Sequence, residues 1–298
     1  MPQLGLVCIT ASKDIRYRTV TRTRLHAQSP DSQRSILEDI FRDNLQTFDA
    51  AMRYCADAGI RLYRLPSSIF PFADTPEGLA VLRTLAPALA RSGRRALEAG
   101  IRLVMHPDQF VVLSSDSPDV VANSIKILQM HADIMDLLEQ PRSPWALLEI
   151  HGGKANRADA LVACIAGLPE AIRCRLGLEN DEYAYSAEEI YAICMRSGVP
   201  MVFDAHHHIV HEKLDSYDDP SVAEMLGKAR ATWAVPEHQL VHISNGRAGF
   251  NDRQHADLID TMPAAYARAP WIEIEAKLKE EAIQELRPWL ASLPAAAG

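Results

Sequence analysis

Six residues of metal-ligating type stand at one kind of place in this chain. His106, His151, Glu179, Asp204, His242 and Glu275 each end or closely follow a short apolar run. Two more lie close by: His207 three residues after Asp204, and His255 in the segment after the run that carries His242. Imidazole and carboxylate donors without thiolate suit Zn²⁺, Mn²⁺ or Fe²⁺ better than Mg²⁺ or Cu⁺. Eight donors exceed what one ion needs, so two or three divalent ions sharing a bridging carboxylate are expected. Ions spaced about 3.5–4 Å apart serve in-line displacement at phosphorus, one activating water while another stabilises the departing oxygen. Each residue alone also has a plainer reading. A histidine at a strand end is commonly just hydrogen-bonded, Glu275 could pair with Lys277 or Lys279, and His206-His207-His208 could form a polar loop. Those readings weaken when they must hold at every one of these positions, because buried polar groups are costly unless paired or bound to metal.

The elements that must position these residues are legible as an alternation. Brief apolar runs at Leu4–Ile9, Ile60–Leu65, Ile101–Met105, Trp145–Ile150, Arg175–Leu178, Pro200–Phe203, Gln239–Ile243 and Trp271–Ile274 have the continuous character of parallel strands buried on both faces. Amphipathic stretches between them predict helices at Ile36–Ala58, Pro76–Ala99, Asp119–Leu138, Arg157–Ile172, Ala187–Ser197, Pro220–Trp233, Gln254–Arg268 and Lys279–Leu293. Gly59, Gly100 and Gly198 fall where a helix must stop before a strand, and Ser186 with Glu189 has capping-box spacing. Eight strand–helix units in one run predict an α/β fold, a (β/α)8 TIM barrel in a single domain. The barrel is expected over residues 1–290 with a short tail over 291–298. A doubly wound sheet would need a glycine-rich turn after its first strand, and Ile9-Thr10-Ala11-Ser12 is not one. In a barrel, catalytic groups come from the C-terminal strand ends, which is where the ligand types fall.

Composition narrows the class further. The five cysteines form no C-x-x-C pair, which argues against thiolate zinc and a disulfide framework. With neither a signal pattern nor a long apolar run, the expectation is a cytoplasmic protein without membrane contact. The formal net charge of -8 gives no global support for nucleic-acid binding. The local exception is Arg16-Tyr17-Arg18-Thr19-Val20-Thr21-Arg22-Thr23-Arg24, which on charge alone reads as a solvated loop.

The motifs taken together resemble the UV damage endonuclease family, over Leu4 to about Leu286. The matching stretches are Leu4-Gly5-Leu6-Val7-Cys8-Ile9, Arg18-Thr19-Val20-Thr21, Tyr63-Arg64-Leu65-Pro66-Ser67-Ser68-Ile69-Phe70-Pro71 and His106-Pro107-Asp108-Gln109-Phe110-Val111-Val112-Leu113. Leu178-Glu179-Asn180-Asp181, Asp204-Ala205-His206-His207, His242-Ile243-Ser244 and Glu275-Ala276-Lys277 complete the set. The family is in turn similar to apurinic endonucleases of the endonuclease IV type. The resemblance implies hydrolysis of the phosphodiester 5′ of a UV photolesion in double-stranded DNA, leaving a 3′-hydroxyl and a 5′-phosphate, with Mn²⁺ as the working metal. It implies one ion on His106, His151 and Glu179, and a second on Glu179, Asp204, His242 and Glu275. A third would lie on His207 and His255. Glu179, His106, His242 and Lys277 would be catalytic. Gln109 and Phe110 would probe the lesion, with Arg18, Arg22, Arg24, Arg64, Ser67, Ser68 and Asn180 as further DNA contacts. A monomer, nucleoid-associated when acting on DNA, is expected. The chain departs from the family at Leu6 (tyrosine), Phe110 (tyrosine), Leu240 (lysine) and in strand eight, where Trp271-Ile272-Glu273-Ile274-Glu275 lacks the usual Asp-x-Met before the glutamate. Two other readings compete: a xylose isomerase-like barrel acting on a small molecule as isomerase or epimerase, and a metal-free binding barrel.

Overall fold

The computed structural model describes residues 1–294 of the chain; residues 295–298 of the expected tail lie outside the described residues. Eight parallel strands close into a barrel in sequence order. They are β1 (Gln3–Val7), β2 (Leu62–Leu65), β3 (Arg102–Met105), β4 (Leu148–His151), β5 (Leu176–Glu179), β6 (Met201–Asp204), β7 (Leu240–Ile243) and β8 (Trp271–Ile274). Every expected strand is present, shortened mainly at its amino end where the chain is still leaving a helix. The (β/α)8 reading therefore holds.

Most helices lie near their expected places. They are α1 (Arg22–His26), α2 (Pro30–Asp57), α3 (Pro76–Thr84), α4 (Ala86–Glu98), α5 (Pro118–Leu137) and α6 (Ala158–Ala166). The chain continues with α7 (Glu170–Arg173), α8 (Ala187–Ser197), α9 (Ala205–Glu212), α10 (Pro220–Ala231), α11 (Lys279–Glu285) and α12 (Arg287–Ser292). Three expected helices are each split. Pro87 breaks the first at Leu85, Gly167 with Pro169 breaks the second, and Pro288 breaks the last at Leu286, because proline cannot continue a helix and glycine favours its end. The Ser186–Glu189 capping box forms in both directions, and Gly198 ends α8 with φ +74. The expected helix at Gln254–Arg268 is not formed. Asn245 and the β8–α11 segment capture the backbone of Ala256, Asp257 and Thr261 instead, leaving only a short 3-10 turn at Ala264–Arg268. Arg287–Ser292 is helical past residue 290, so the barrel's last helix runs into the expected tail.

Side-chain alternation divides each strand between the barrel interior and the helices. At the amino-terminal end, the buried Arg102 guanidinium donates to the carbonyls of Trp145, His238 and Pro144 at 2.8–2.9 Å. It also lies over the rings of Trp145, Trp233 and Trp271. Burial lowers its pKa to about 10, which still leaves it charged at neutral pH. Above it, Leu62, Val104, Leu147, Val202 and Leu240 form an apolar layer. The next layers toward the carboxyl ends are polar, and they form the site.

Candidate metal centre

Glu179 ends β5 and is almost wholly buried. Its Oε2 lies 2.9 Å from His106 Nε2 and 3.7 Å from His151 Nε2. Its Oε1 lies 3.0 Å from His242 Nδ1 and 3.3 Å from His207 Nδ1. Four imidazoles from four segments thus converge on one carboxylate. Burial works against the Glu179 carboxylate, but His242 and His151, with hydrogen bonds from His106 and His207, hold it well below the usual carboxylate range. The same attraction raises His242, and Asp204 together with Glu179 raises His207, both well above the ordinary imidazole value although burial opposes it. His151 moves the other way, because burial outweighs its longer contact with Glu179.

Asp204 has a double role. It ends β6 and caps α9, its Oδ1 accepting from the His207 backbone N–H at 2.7 Å. That cap turns His206-His207-His208 into a helix rather than the polar loop of the plainer reading, and it holds His207 over the site. The Asp204 Oδ2 is buried and has no hydrogen-bond partner. His207 Nδ1 is also 2.9 Å from the Asn180 carbonyl, while Nε2 faces Glu182 at 3.8 Å.

Contrary to the plainer reading, Glu275 pairs with neither Lys277 nor Lys279. Its Oε1 takes the Arg64 Nη2 at 2.5 Å, and Arg64 Nη1 lies 2.8 Å from Glu273. Arg64 is thereby corrected: it points into the barrel, is buried, and is not a free cation for the DNA backbone. Alternation along β2 puts it inward with Leu62. Lys277 is exposed, and its backbone N–H is held by Ala256. The half-buried Lys279 is the lysine that feels Glu275 and Glu273, and burial lowers its pKa.

Ligand atoms of His106, His151 and Glu179 come within 4.8 Å of one another, as do those of Glu179, Asp204 and His207, and those of Asp204, His242 and Glu275. The first and third sets match the two expected ion sites, apart from the Glu179 bridge in the second. The expected pairing of His207 with His255 is not what the structure brings together. His207 joins Glu179 and Asp204, whereas His255 Nε2 lies 3.8 Å from Glu275 Oε2. A further set, Glu149, His242 and Glu273, escaped the sequence reading because both glutamates stand inside apolar runs. Their signal was parity: each precedes a strand-end ligand by two residues and therefore shares its face.

The residues fit a cluster of divalent ions. The donors are nitrogen and oxygen only, and the buried Asp204 Oδ2 and His151 Nδ1 have no other partner. A buried carboxylate oxygen without a partner calls for an explanation, and an ion beside these donors supplies one.

Loops around this mouth carry the expected DNA-reading residues. Gln109 and Phe110 are exposed on the β3–α5 loop, Phe110 at 73%, so it is not a core ring. A cleft of about 400 Å³ beside them is lined by Gln109, His151, Lys154, Tyr183 and Arg253. A second, of about 360 Å³, is lined by Arg22, Ser67, Ser68 and Phe72, and the two share Asp108. Arg18 and Arg24 are exposed, Arg18 beside Asp43. Asn180 is buried, exchanging hydrogen bonds with the Asp204 backbone at 2.9 and 3.0 Å, so it is a structural tie and no DNA contact. Leu6 is likewise buried among the helices, away from the mouth. Among the described residues no helix is long and apolar enough to cross a membrane.

These features define the class: a (β/α)8 barrel with a mixed imidazole–carboxylate centre at the carboxyl ends of its strands. The chain belongs to the UV-endonuclease UvdE family, whose family model matches residues 2–295. It is 54% identical to the UV DNA damage endonuclease of Nostoc sp. over 97% of this chain and 90% of that protein. It is 52% identical to the UV DNA damage endonuclease of Deinococcus radiodurans, over 96% of this chain and 95% of that one. The solved structure described as SacUVDE superposes with a TM-score of 0.82 at 24% identity, covering 97% of this chain and 99% of that one, and it shows the shared fold.

Proposed function

We propose that this chain is a DNA-repair endonuclease that cuts the phosphodiester 5′ of UV photolesions, leaving a 3′-hydroxyl and a 5′-phosphate. Its two or three divalent ions, Mn²⁺ the working choice, are held by His106, His151, Glu179, Asp204, His207, His242, His255 and Glu275. The observation that carries the reading is Glu179, ringed by four imidazoles at a mouth whose rim exposes Gln109 and Phe110. The family relation to two UV DNA damage endonucleases above 50% identity supports it over a small-molecule isomerase.

When bound, the ions supply Lewis-acid neutralisation of phosphate charge and lower the pKa of a water. The protein's own contribution is placement. Rigid strand ends hold the donors, and Asp204 and Asn180 tie β5, β6 and α9 together. Phe110 can wedge between bases, and damaged bases leave the stack at lower cost than sound ones. Arg22 and Lys277 at the rim are available for phosphate, which a locally basic edge can bind on an acidic protein.

The test is incubation of UV-irradiated and untreated duplex with chelator-stripped protein and with Mn²⁺-loaded protein. Metal-dependent nicks confined to irradiated DNA, with polymerase-extendable 3′ ends, are expected. Metal-replete protein that neither binds nor nicks irradiated duplex would refute the proposal.

A further inference from the structure

His242 has two ring nitrogens in two very different surroundings. Nδ1 faces the donors of the metal centre, 3.0 Å from Glu179 and 3.7 Å from Glu275. Nε2 points down into the barrel, 2.8 Å from Glu149 Oε2 and 2.9 Å from Glu273 Oε2. Both of these glutamates are fully buried. Glu273 is the strand partner of His242 and is steadied by Arg64. Glu149 reaches across the interior from β4, and its other oxygen has no hydrogen-bond partner. Among the described residues the hydrogen-bond partner of the Glu149 carboxyl is His242.

A lone pair on Nε2 would be repelled by two carboxylate oxygens in this dry interior, so with the glutamates ionised Nε2 carries the hydrogen. In the neutral ring needed for ligation the lone pair is then confined to Nδ1, which faces the metal centre. The hydrogen bond goes to Glu149, with the Glu273 carboxylate beside it as an ion-pair partner, and such outer contacts fix tautomer and ring orientation and strengthen a ligand. We infer that Glu149 and Glu273 are positioning residues that lock His242 in the Nε2–H form, with Nδ1 as the metal-facing atom. The inference rests on the proposed metal centre and is independent of the DNA substrate.

The experiment uses the full chain with ¹⁵N-labelled histidine, zinc as a diamagnetic probe, and no DNA. Wild-type protein loaded with zinc should show His242 protonated at Nε2 and metal-bound at Nδ1. Zinc titration should then show Glu149→Met weakening one ion site by about 10–100-fold. Glu149→Gln, which keeps an acceptor oxygen but no charge, should stay near wild type. The thermal stability of zinc-free Glu149→Met is measured alongside, so that a loss of fold is told apart from a loss of zinc affinity. Metal on Nε2 of wild-type His242 would overturn the inference without any variant. Equal zinc affinity in all three proteins would overturn it too, and equal losses in Glu149→Gln and Glu149→Met would show charge rather than orientation at work. Wild-type protein that binds no zinc or Mn²⁺ would instead sink the metal centre itself, and this inference with it.

Discussion

Glu179→Gln tests the centre most sharply, because the change preserves shape and removes charge at the point where every ligand set meets. In the metal-free protein the carboxylate is within 2.9–3.3 Å of His106, His242 and His207. Removing one partner of a buried ion pair costs about 3–5 kcal/mol, because the other charge is left uncompensated. Here the uncompensated group can escape by losing its proton, so the cost must depend on pH. Glu179 is depressed in the fold, and its pairing is therefore present above the unfolded carboxylate value of about 4.3 and is lost as pH falls through the folded one. His242 and His207 are raised, so their share is complete below the unfolded imidazole value of about 6.5 and is lost as pH rises through the folded values. The two signs together define a window. The variant should lose about 3 kcal/mol near pH 6, and less both at pH 4 and at pH 9. Urea unfolding of chelator-treated wild-type and variant protein across that range measures it directly. With metal present, zinc or Mn²⁺ affinity should drop by at least about 100-fold, equivalent to about 2.7 kcal/mol, and nicking should disappear. A stability penalty flat across pH, or a variant that still binds metal and cuts, would refute the bridging position of Glu179.

Three further outcomes follow from the same geometry. Metal loading near neutral pH should release protons, because raised His242 and His207 must be neutral to ligate; a pH-stat during zinc titration would record it, and uptake without protons would contradict the assigned imidazoles. Phe110→Ala should change folding stability by less than about 0.5 kcal/mol, since the ring is 73% exposed. It should weaken binding to irradiated duplex by about 1–3 kcal/mol, the worth of one aromatic stack, read by gel shift or anisotropy. Arg102→Met should destabilise the fold by about 3 kcal/mol, roughly 1 for each of the three carbonyls left without a donor, as measured by urea unfolding. It should leave metal content unchanged, because the guanidinium lies at the opposite end of the barrel from the centre.

The barrel and its ligand positions could be read from the chain because both depend on local signals. A strand buried on both faces is a short apolar run, and a ligand at its carboxyl end breaks that run with one polar residue. His106, His151, Asp204 and Glu275 announce themselves this way. Glu149 and Glu273 do not, since each is a single carboxyl within an apolar stretch and only counting by twos places it inward. Arg64 was misplaced for the same reason: beside Pro66-Ser67-Ser68 it looks like part of a loop, yet its parity with Leu62 aims it at Glu273 and Glu275. The α9 helix was hidden by three successive histidines, although Asp204 stands at N-cap spacing from His207. The segment at Gln254–Arg268 shows the opposite error. Its helical pattern is real, but Asn245 and the β8–α11 segment offer its backbone better partners than a helix would.

Where the chain departs from its family's pattern, the structure separates interior changes from reading changes. Leu240 falls in the apolar layer with Leu62, Val104 and Val202, one step below His242. Leu6 packs in the helix-facing core. Neither reaches the rim, so neither alters what meets DNA directly. Glu273 adds a buried carboxyl beside His242, in the layer just above Leu240, and Arg64 compensates its charge. The interior has therefore been recomposed around the same imidazole rather than emptied. Phe110 is different in kind: it stands on a loop, exposed, and trades only a hydroxyl for hydrogen. A binding site whose ligands and their supports lie on strands, while its probes lie on loops, can change its reading without disturbing its metal geometry. Phe110→Tyr should thus shift preference among lesions while metal affinity stays constant, and a change in metal affinity would show that loop and centre are coupled.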